Sequence, residues 1–181
     1  MSRRSEPASA RLVVSAIYRD ERILGAAYAR VVEILGEARF VGRVFSFDFT
    51  EYYSDEMGSP LSRRFIEASA PVPRDVLPDI KIGMERIERE LSEGGRRTVN
   101  LDPGLVTPEN FILATGKNFS HRIYLRDGVF ADLTLVYRKG EYRALPWTYP
   151  DYASREIRDL LKGVRAEFLA RGETGGARRC G

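Results

Sequence analysis

Hydrophobic residues that alternate, or that recur three and four positions apart, predict most of the secondary structure of this chain. Three β-rich runs cover residues 11–18, 41–49 and 61–69. Helices are predicted between and after them, because hydrophobic stripes with helical spacing run through residues 24–35 and 77–91. With a short strand at 98–101 the order becomes β-α-β-β-α-β, which is typical of a ferredoxin-like fold.

The chain from residue 118 to residue 152 predicts a three-stranded antiparallel meander. Asp127-Gly128 forms the first hairpin turn because both positions tolerate a positive φ, and Lys139-Gly140 forms a second, weaker turn. The first turn sets a register in which Ile123 lies opposite Asp132.

Two further helices complete the prediction. Thr107 is a suitable N-cap and Pro108 suits the first helical turn, so a short helix is expected from there to Gly116. The last helix begins near Pro150, and its buried stripe ends at Phe168. The predicted fold class is therefore α+β: a ferredoxin-like core extended by the meander and a C-terminal helix.

Length and composition indicate one domain. We expect it to span residues 11–171, between a disordered tail at 1–10 and a flexible tail at 172–181. No apolar run of about 18 residues predicts a membrane span, and the N-terminus has no apolar signal core. The single Cys180 excludes a disulfide framework and a cysteine metal site. These features predict a cytoplasmic protein.

The net charge of +3 changes this picture little. Residues 1–10 and 172–181 each contribute +1, so the body of the chain is close to neutral. A dispersed, nearly neutral charge argues against a nucleic-acid partner.

His121, the only histidine, is a candidate catalytic residue together with Asp132. The predicted register makes them diagonal neighbours on adjacent strands, and a carboxylate orients an imidazole for general acid–base work. The alternative is a surface pair that only stabilises the hairpin. Trp147, the only tryptophan, lies in a segment rich in proline and aromatic residues, where it is either a lid over a ligand or a plug that closes the core.

Four basic residues are candidates for binding a phosphate group: Arg64, Arg97, Lys117 and Arg122. Lys117 could instead complement the dipole of the helix predicted before it. Asn100 and Asp102 are expected in a turn that leads into that helix. Such a turn is a natural anion site, and a plain Asx turn is the alternative.

An acidic loop follows the second predicted strand and contains Asp48, Glu51 and Asp55. Clustered carboxylates are suited to hold Mg²⁺ through oxygen ligands, and the alternative is a solvated acidic loop. Tyr52 and Tyr53 in the same loop could stack on a partner.

Four strings carry a resemblance: FSFDFTEYYSDEMGSPLSRRF at 45–65, RRTVNLDPGLVTPENFILAT at 96–115, FSHRIYL at 119–125 and LPWTYPDY at 145–152. In this order they resemble a bacterial family of short proteins that is known only as a domain of unknown function. Some of its members are labelled GTP-binding protein, so the resemblance implies a nucleotide ligand.

A phosphate loop of the usual kind is missing from the sequence. That loop requires G-x-x-x-x-G-K-[ST], and the best candidate ends in Gly116-Lys117-Asn118. Phe111 takes the place of the first glycine, and Asn118 takes the place of the hydroxyl residue. Any GTP binding would therefore use another architecture.

Two hypotheses follow. The first is a small soluble protein that binds or acts on a phosphorylated, nucleotide-like ligand in a pocket with His121, Asp132 and arginines, with Mg²⁺ as a candidate cofactor. The second is a non-catalytic module that docks a protein or an RNA through the aromatic and acidic loop at 47–58.

Overall fold

The computed structural model describes residues 5–47 and 54–172. In that part of the chain the strands are β1 (Arg11–Tyr18), β2 (Ala38–Phe47), β3 (Leu61–Ala68), β4 (Val99–Val106), β5 (Asn110–Thr115), β6 (Arg122–Arg126), β7 (Val129–Arg138) and β8 (Glu141–Ala144). The helices are α1 (Glu21–Leu35), α2 (Ser54–Met57), α3 (Leu77–Glu90), α4 (Pro150–Ala153) and α5 (Arg155–Ala170), and a 3-10 turn covers Arg74–Val76. The fold class is α+β, as predicted.

All eight strands belong to one antiparallel sheet, in the order β2-β3-β1-β4-β5-β7-β6. The last strand, β8, pairs with β7 beyond the end of β6. β1 is buried at every residue, because strands pair with both of its edges and helices cover both faces of the sheet. The ordered chain begins before the predicted boundary at residue 11, since Ala10 is buried and exchanges backbone hydrogen bonds with Val72.

Different helices pack against the two faces of the sheet. α1 and α3 cover one face, where Leu24, Val31 and Met84 pack in one cluster with Val14 and Ile66 of the sheet. α4 and α5 cover the other face through Tyr152 and the stripe Ile157, Leu161 and Val164. Each of these side chains contributes about 1.5–3 kcal/mol on burial, so packing rather than intrinsic propensity holds the helices.

The predicted helix at 107–116 is wrong, because this segment forms β5. The Thr107 Oγ1 accepts hydrogen bonds from the backbone N–H groups of Glu109 and Asn110, as an N-cap would, but the chain then turns into a strand. Phe111 and Leu113 alternate into the core between β4 and β7. The hydrogen bonds of the Thr107 hydroxyl therefore stabilise a tight turn instead of a helix N-terminus.

The predicted break at residues 102–104 is also wrong, because β4 continues through them to Val106. Asn100 and Asp102 consequently lie on a strand rather than in a turn before a helix. Gly104 allows this path, since a Cβ atom there would lie 2.7 Å from the ring of Phe111.

Both hairpin turns are confirmed, but the three strands are not a simple meander, because β6 and β8 pair with the same edge of β7 and β5 pairs with the other edge. The predicted register is also wrong by one residue. Asp127 and Gly128 have φ values of 52° and 77°, as the turn requires. A bulge between Tyr124 and Arg126 then shifts β6, so that Arg122 rather than Ile123 lies opposite Asp132. Tyr124 is 59% exposed in β6, whereas Asp132 and Thr134 of β7 are buried.

None of the helices in residues 5–47 and 54–172 has the length and apolar composition needed to cross a membrane.

Candidate functional site

A cleft opens where β4 and β5 separate. The two strands pair only between residues 104–106 and 111–113, and the earlier part of β4 and the later part of β5 diverge. The cleft has a volume of about 690 Å³, which lies in the range of about 300–1,000 Å³ that is usual for small-molecule sites. Buried Arg63, Asp151 and Tyr152 form its floor. Its rim consists of exposed residues, namely Arg89, Gly95, Gly116, Lys117 and Tyr149.

Two charged side chains of α3 satisfy the backbone of β4 where β5 no longer pairs with it. The Leu101 N–H donates to Oε1 of Glu88, and Nζ of Lys81 lies 3.5 Å from the Leu101 carbonyl. Lys81 and Glu88 are two helical turns apart, so both reach the same side of α3. This arrangement brings a buried ammonium group and a buried carboxyl group into the wall of the cleft.

The environments of the two carboxyl groups nearest Lys81 separate their pKa values. Burial raises the pKa of Glu88 to about 7, although the charge of Lys81 and the Leu101 N–H oppose the rise. Burial also raises the pKa of Asp102, but Lys81 and Asn100 outweigh it through charge and hydrogen bonds, so this pKa lies below its usual value. The cleft therefore holds one protonatable acid beside one ionised acid, a pattern that suits acid–base chemistry.

A chain of polar contacts joins Lys81 to the far end of the cleft wall. Lys81 Nζ lies 3.1 Å from Oδ1 of Asp102, and the Asn100 amide donates to Oδ2 of Asp102 at 2.7 Å. Nη1 of Arg97 donates to Oδ1 of Asn100, while Nε and Nη2 of Arg97 bind the carboxylate of Glu56. Each group is thus held in place before any ligand enters.

The floor contains a buried ion pair inside an aromatic enclosure. Nη2 of Arg63 lies 2.5 Å from Oδ2 of Asp151, and both side chains are less than a tenth exposed. The Arg63 guanidinium lies 4.6 Å from the ring centre of Phe47 and 4.9 Å from that of Tyr152. Such contacts fix the orientation of a planar guanidinium.

Asp132 lies at the centre of the opposite wall. Its Oδ2 accepts from Nε of Arg122 at 2.9 Å and lies 3.3 Å from Nε2 of His121. Arg122 also donates to the Lys117 carbonyl and to the Tyr149 hydroxyl. The buried carboxylate of Asp132 therefore positions Arg122, and the hydrogen bonds of Arg122 connect Lys117 and Tyr149 at the rim of the cleft.

His121 lies behind Asp132 and not in the lining of the cleft. Its ring stacks on Trp147, with ring centres 5.1 Å apart and planes 13° apart. The indole N–H of Trp147 donates to the Leu133 carbonyl, and the Thr148 hydroxyl donates to the Thr134 carbonyl. These two bonds satisfy β7 in the gap between its partners β6 and β8.

The cleft brings together six of the residues that the sequence singled out: Arg97, Asn100, Asp102, Lys117, Arg122 and Asp132. Arg64 lies on the other face of β3, where its guanidinium is 4.2 Å from the ring centre of Phe40. Asp48 and Glu51 lie outside the described residues, as do Tyr52 and Tyr53, and the side chain of Asp55 is not described either. Within residues 5–47 and 54–172 no group of three or more acidic, histidine or cysteine side chains is placed to hold a metal ion.

Several residues of the cleft were missed from the sequence, among them Arg63, Lys81, Glu88, Arg89, Asp151 and Tyr152. A signal for two of them existed, because Lys81 and Glu88 fall at helical spacing from the buried residues Leu77 and Met84. For Arg63, its alternation with the core residue Phe65 was the available signal.

A family model described as Domain of unknown function (DUF4416) matches residues 8–168. The chain belongs to this family. Its matched region includes every strand of the sheet and all residues of the cleft. No curated protein and no solved structure matches the chain.

Proposed function

We propose that this DUF4416 protein binds a small phosphorylated, nucleotide-like ligand in the cleft between β4 and β5. The observation that carries the proposal is the convergence of basic side chains from separate elements. Six of them line the cleft among the described residues: Arg63, Lys81, Arg89, Arg97, Lys117 and Arg122. Guanidinium and ammonium groups are the usual partners of phosphate oxygens.

The position of the phosphate group follows from the exposure of these side chains. Arg63 and Lys81 are buried against Asp151 and Asp102, whereas Arg89 and Lys117 are exposed at the rim. Arg122, held by Asp132, lies next to Lys117. A phosphate at the rim keeps part of its hydration while it gains these cations, so the rim is the better place for it.

His121 and Asp132 enter this proposal as positioning residues. His121 reaches the cleft only through Asp132, which it contacts together with Arg122. The groups suited to proton transfer within the cleft are Glu88 and Asp102. Either acid could act on a bound ligand, and binding without chemistry would use the same cations.

A thermal-shift series tests the proposal. Purified protein is heated with inorganic phosphate, ribose 5-phosphate and nucleoside mono-, di- and triphosphates, each with and without Mg²⁺ because of the acidic loop at Asp48. A ligand at about 100 times its dissociation constant stabilises the fold by about 2.7 kcal/mol. We expect a phosphate-dependent rise in the melting temperature.

Lys117→Ala should weaken this effect, because it removes a cation from the rim without opening the core. Lys162→Ala is the matched control, since Lys162 is exposed on α5 and does not line the cleft. Equal shifts in the two variants, or no shift with any phosphate compound, would contradict the proposal.

We also propose that residues 11–106 are a ferredoxin-like unit. The strand order β2-β3-β1-β4, the antiparallel pairing and the placement of α1 and α3 on one face support this assignment. The proposed binding cleft would then lie at the edge of this unit, where β5 extends its sheet beyond β4.

A docking function has separate support at β6. Ile123, Tyr124 and Leu125 are exposed, and no strand in the described part of the chain pairs with the outer edge of β6. Such an edge suits pairing with a second copy of this chain. Sedimentation of a dimer that Ile123→Lys converts to a monomer would support it, and a wild-type monomer at every concentration would exclude it. Docking through the loop at 47–58 stays a prediction.

A further inference from the structure

The floor of the cleft contains buried hydrogen-bond donors that have no acceptor among the described residues. Nε of Arg63, in the lining of the cleft, makes no hydrogen bond there. The hydroxyl of Tyr152, also in the lining, interacts with the Ser15 hydroxyl, which donates to it and lowers the pKa of Tyr152, so the O–H donor of Tyr152 itself finds no acceptor. Leaving a buried donor unpaired costs about 1–3 kcal/mol, so two such donors in one neighbourhood require an explanation.

The chemistry of these atoms specifies an oxygen acceptor. Nε–H of Arg63 can only donate. Burial raises the pKa of Tyr152, so its hydroxyl keeps its proton and can donate as well. An oxygen atom of a ligand would accept from both groups.

The charge balance of the floor favours a neutral group. Asp151 already neutralises Arg63, and Asp102 neutralises Lys81. An additional anion would lose its hydration without meeting an unbalanced positive charge. The Asp151 carboxylate has lone pairs beyond the one that binds Arg63, so it can accept from an N–H group of the ligand.

A neutral group that offers an acceptor next to a donor is a cyclic amide. The rings of Phe47 and Tyr152 pack against Arg63 and also line the cleft, so a flat ring bound to Arg63 would lie next to aromatic side chains.

We propose that Arg63, Tyr152 and Asp151 form a subsite for the cyclic-amide edge of a planar ring, as found in oxo-pyrimidines and oxo-purines. This inference rests on the proposed function, and it adds that the phosphate stays at the rim while the ring enters the floor. The ligand class is then a nucleotide with a carbonyl-bearing base.

Inosine and adenosine 5′-monophosphates provide the matched probes. Their bases differ at one edge: inosine presents a carbonyl beside an N–H group, and adenosine presents an amino group beside a bare ring nitrogen. Because the amino group would face the Arg63 donor, we expect adenosine 5′-monophosphate to bind at least about tenfold more weakly in calorimetric titrations.

Tyr152→Phe tests the subsite directly. The variant keeps the aromatic packing and removes a hydroxyl whose own donor is unpaired among the described residues, so its stability should stay close to that of the wild type. We expect inosine 5′-monophosphate to bind about 3- to 10-fold more weakly, with ribose 5-phosphate unaffected. Tyr142→Phe is the control, because the Tyr142 hydroxyl is also buried with no hydrogen bond in the described part of the chain, but Tyr142 does not line the cleft.

Three outcomes would overturn the subsite: equal binding of the two monophosphates, unchanged binding by Tyr152→Phe, or equal effects of the two tyrosine variants. If ribose 5-phosphate binds as tightly as inosine 5′-monophosphate, the subsite fails and the phosphate proposal stands. If unphosphorylated inosine binds as tightly as its monophosphate, the phosphate proposal fails and the subsite stands. Absence of binding by every probe would overturn both.

Discussion

At the scale of single residues, the charges of the cleft are arranged in buried or half-buried pairs. Arg63 pairs with Asp151, Lys81 with Asp102 and Arg122 with Asp132. Breaking such a pair leaves one buried charge without its partner and costs about 3–5 kcal/mol. Conformations that separate the two side chains are therefore disfavoured, and each partner keeps the other in one orientation. Glu88 differs from Asp102, because at Glu88 burial outweighs the charge of Lys81 and raises the pKa, whereas at Asp102 the nearby Lys81 outweighs burial.

Glu88→Gln should change how stability depends on pH. The folded pKa of about 7 lies above the ordinary 4.5, so the folded protein binds more protons than the unfolded chain between these values. Stability from this group is full below pH 4.5 and is lost as the pH rises through 7, by about 3 kcal/mol. Glutamine keeps the acceptor for the Leu101 N–H and abolishes this loss.

Urea denaturation at pH 5 and pH 8 measures the effect. The free energy of unfolding of Glu88→Gln should rise relative to the wild type between the two pH values. Glu93→Gln, at an exposed acid, is the control. The same relative rise in both variants would show that the effect does not come from the burial of Glu88.

At the scale of elements, the junction between β4 and β5 decides where the cleft lies. The strands pair over three residues each, and the pairing ends at Gly104 and Leu113. Gly104 leaves room for the ring of Phe111, and beyond this pair the strands separate. Lys81 and Glu88 then take over the hydrogen bonds that β5 would have made to Leu101.

Gly104→Ala should therefore destabilise the protein. The added Cβ would lie 2.7 Å from the ring of Phe111 and 3.1 Å from the Ile112 carbonyl oxygen, and such overpacking costs about 1–3 kcal/mol. Gly163→Ala is the matched control, because its Cβ meets nothing within 4 Å and α5 gains about 0.5–1 kcal/mol of helix propensity. In chemical denaturation, the free energy of unfolding should fall for Gly104→Ala and rise for Gly163→Ala. Destabilisation by both substitutions, or by neither, would contradict the role of Gly104.

At the scale of the whole molecule, the strands of the sheet differ in how far they are shielded from solvent. β1 is buried at every position between β3 and β4, whereas β6 ends the sheet with exposed side chains. Local opening is easiest where few apolar contacts hold the chain. The rim of the cleft, at Gly116 and Lys117, is exposed and the floor is buried, so we expect the rim to open more easily than the floor.

Amide hydrogen exchange should show this pattern. Without ligand, exchange should be slowest in β1 and faster in β6, because opening free energy follows burial. Saturating inosine 5′-monophosphate should slow exchange along the cleft, at residues 97–102 and 113–117, and leave the exposed part of β6, residues 123–126, unchanged. Protection confined to β6 would instead support the docking function at that edge.

The sequence alone determined the features that depend on neighbouring residues. Asp127-Gly128 and Lys139-Gly140 form turns because of their own backbone preferences, and Asp20 caps α1 through a local hydrogen bond. The stripes of α1, α3 and α5 follow from helical period, and together these signals gave the α+β class.

The tertiary structure decided what depends on distant partners. Residues 110–115 become a strand because β4 and β7 pair with them, although their local signals favoured a helix. The bulge in β6 changed which residue faces Asp132, and the packing of β3 placed Arg63 rather than Arg64 in the cleft. Strand pairing and charge pairing across the fold are interactions between residues far apart in the chain, so no local pattern encodes them.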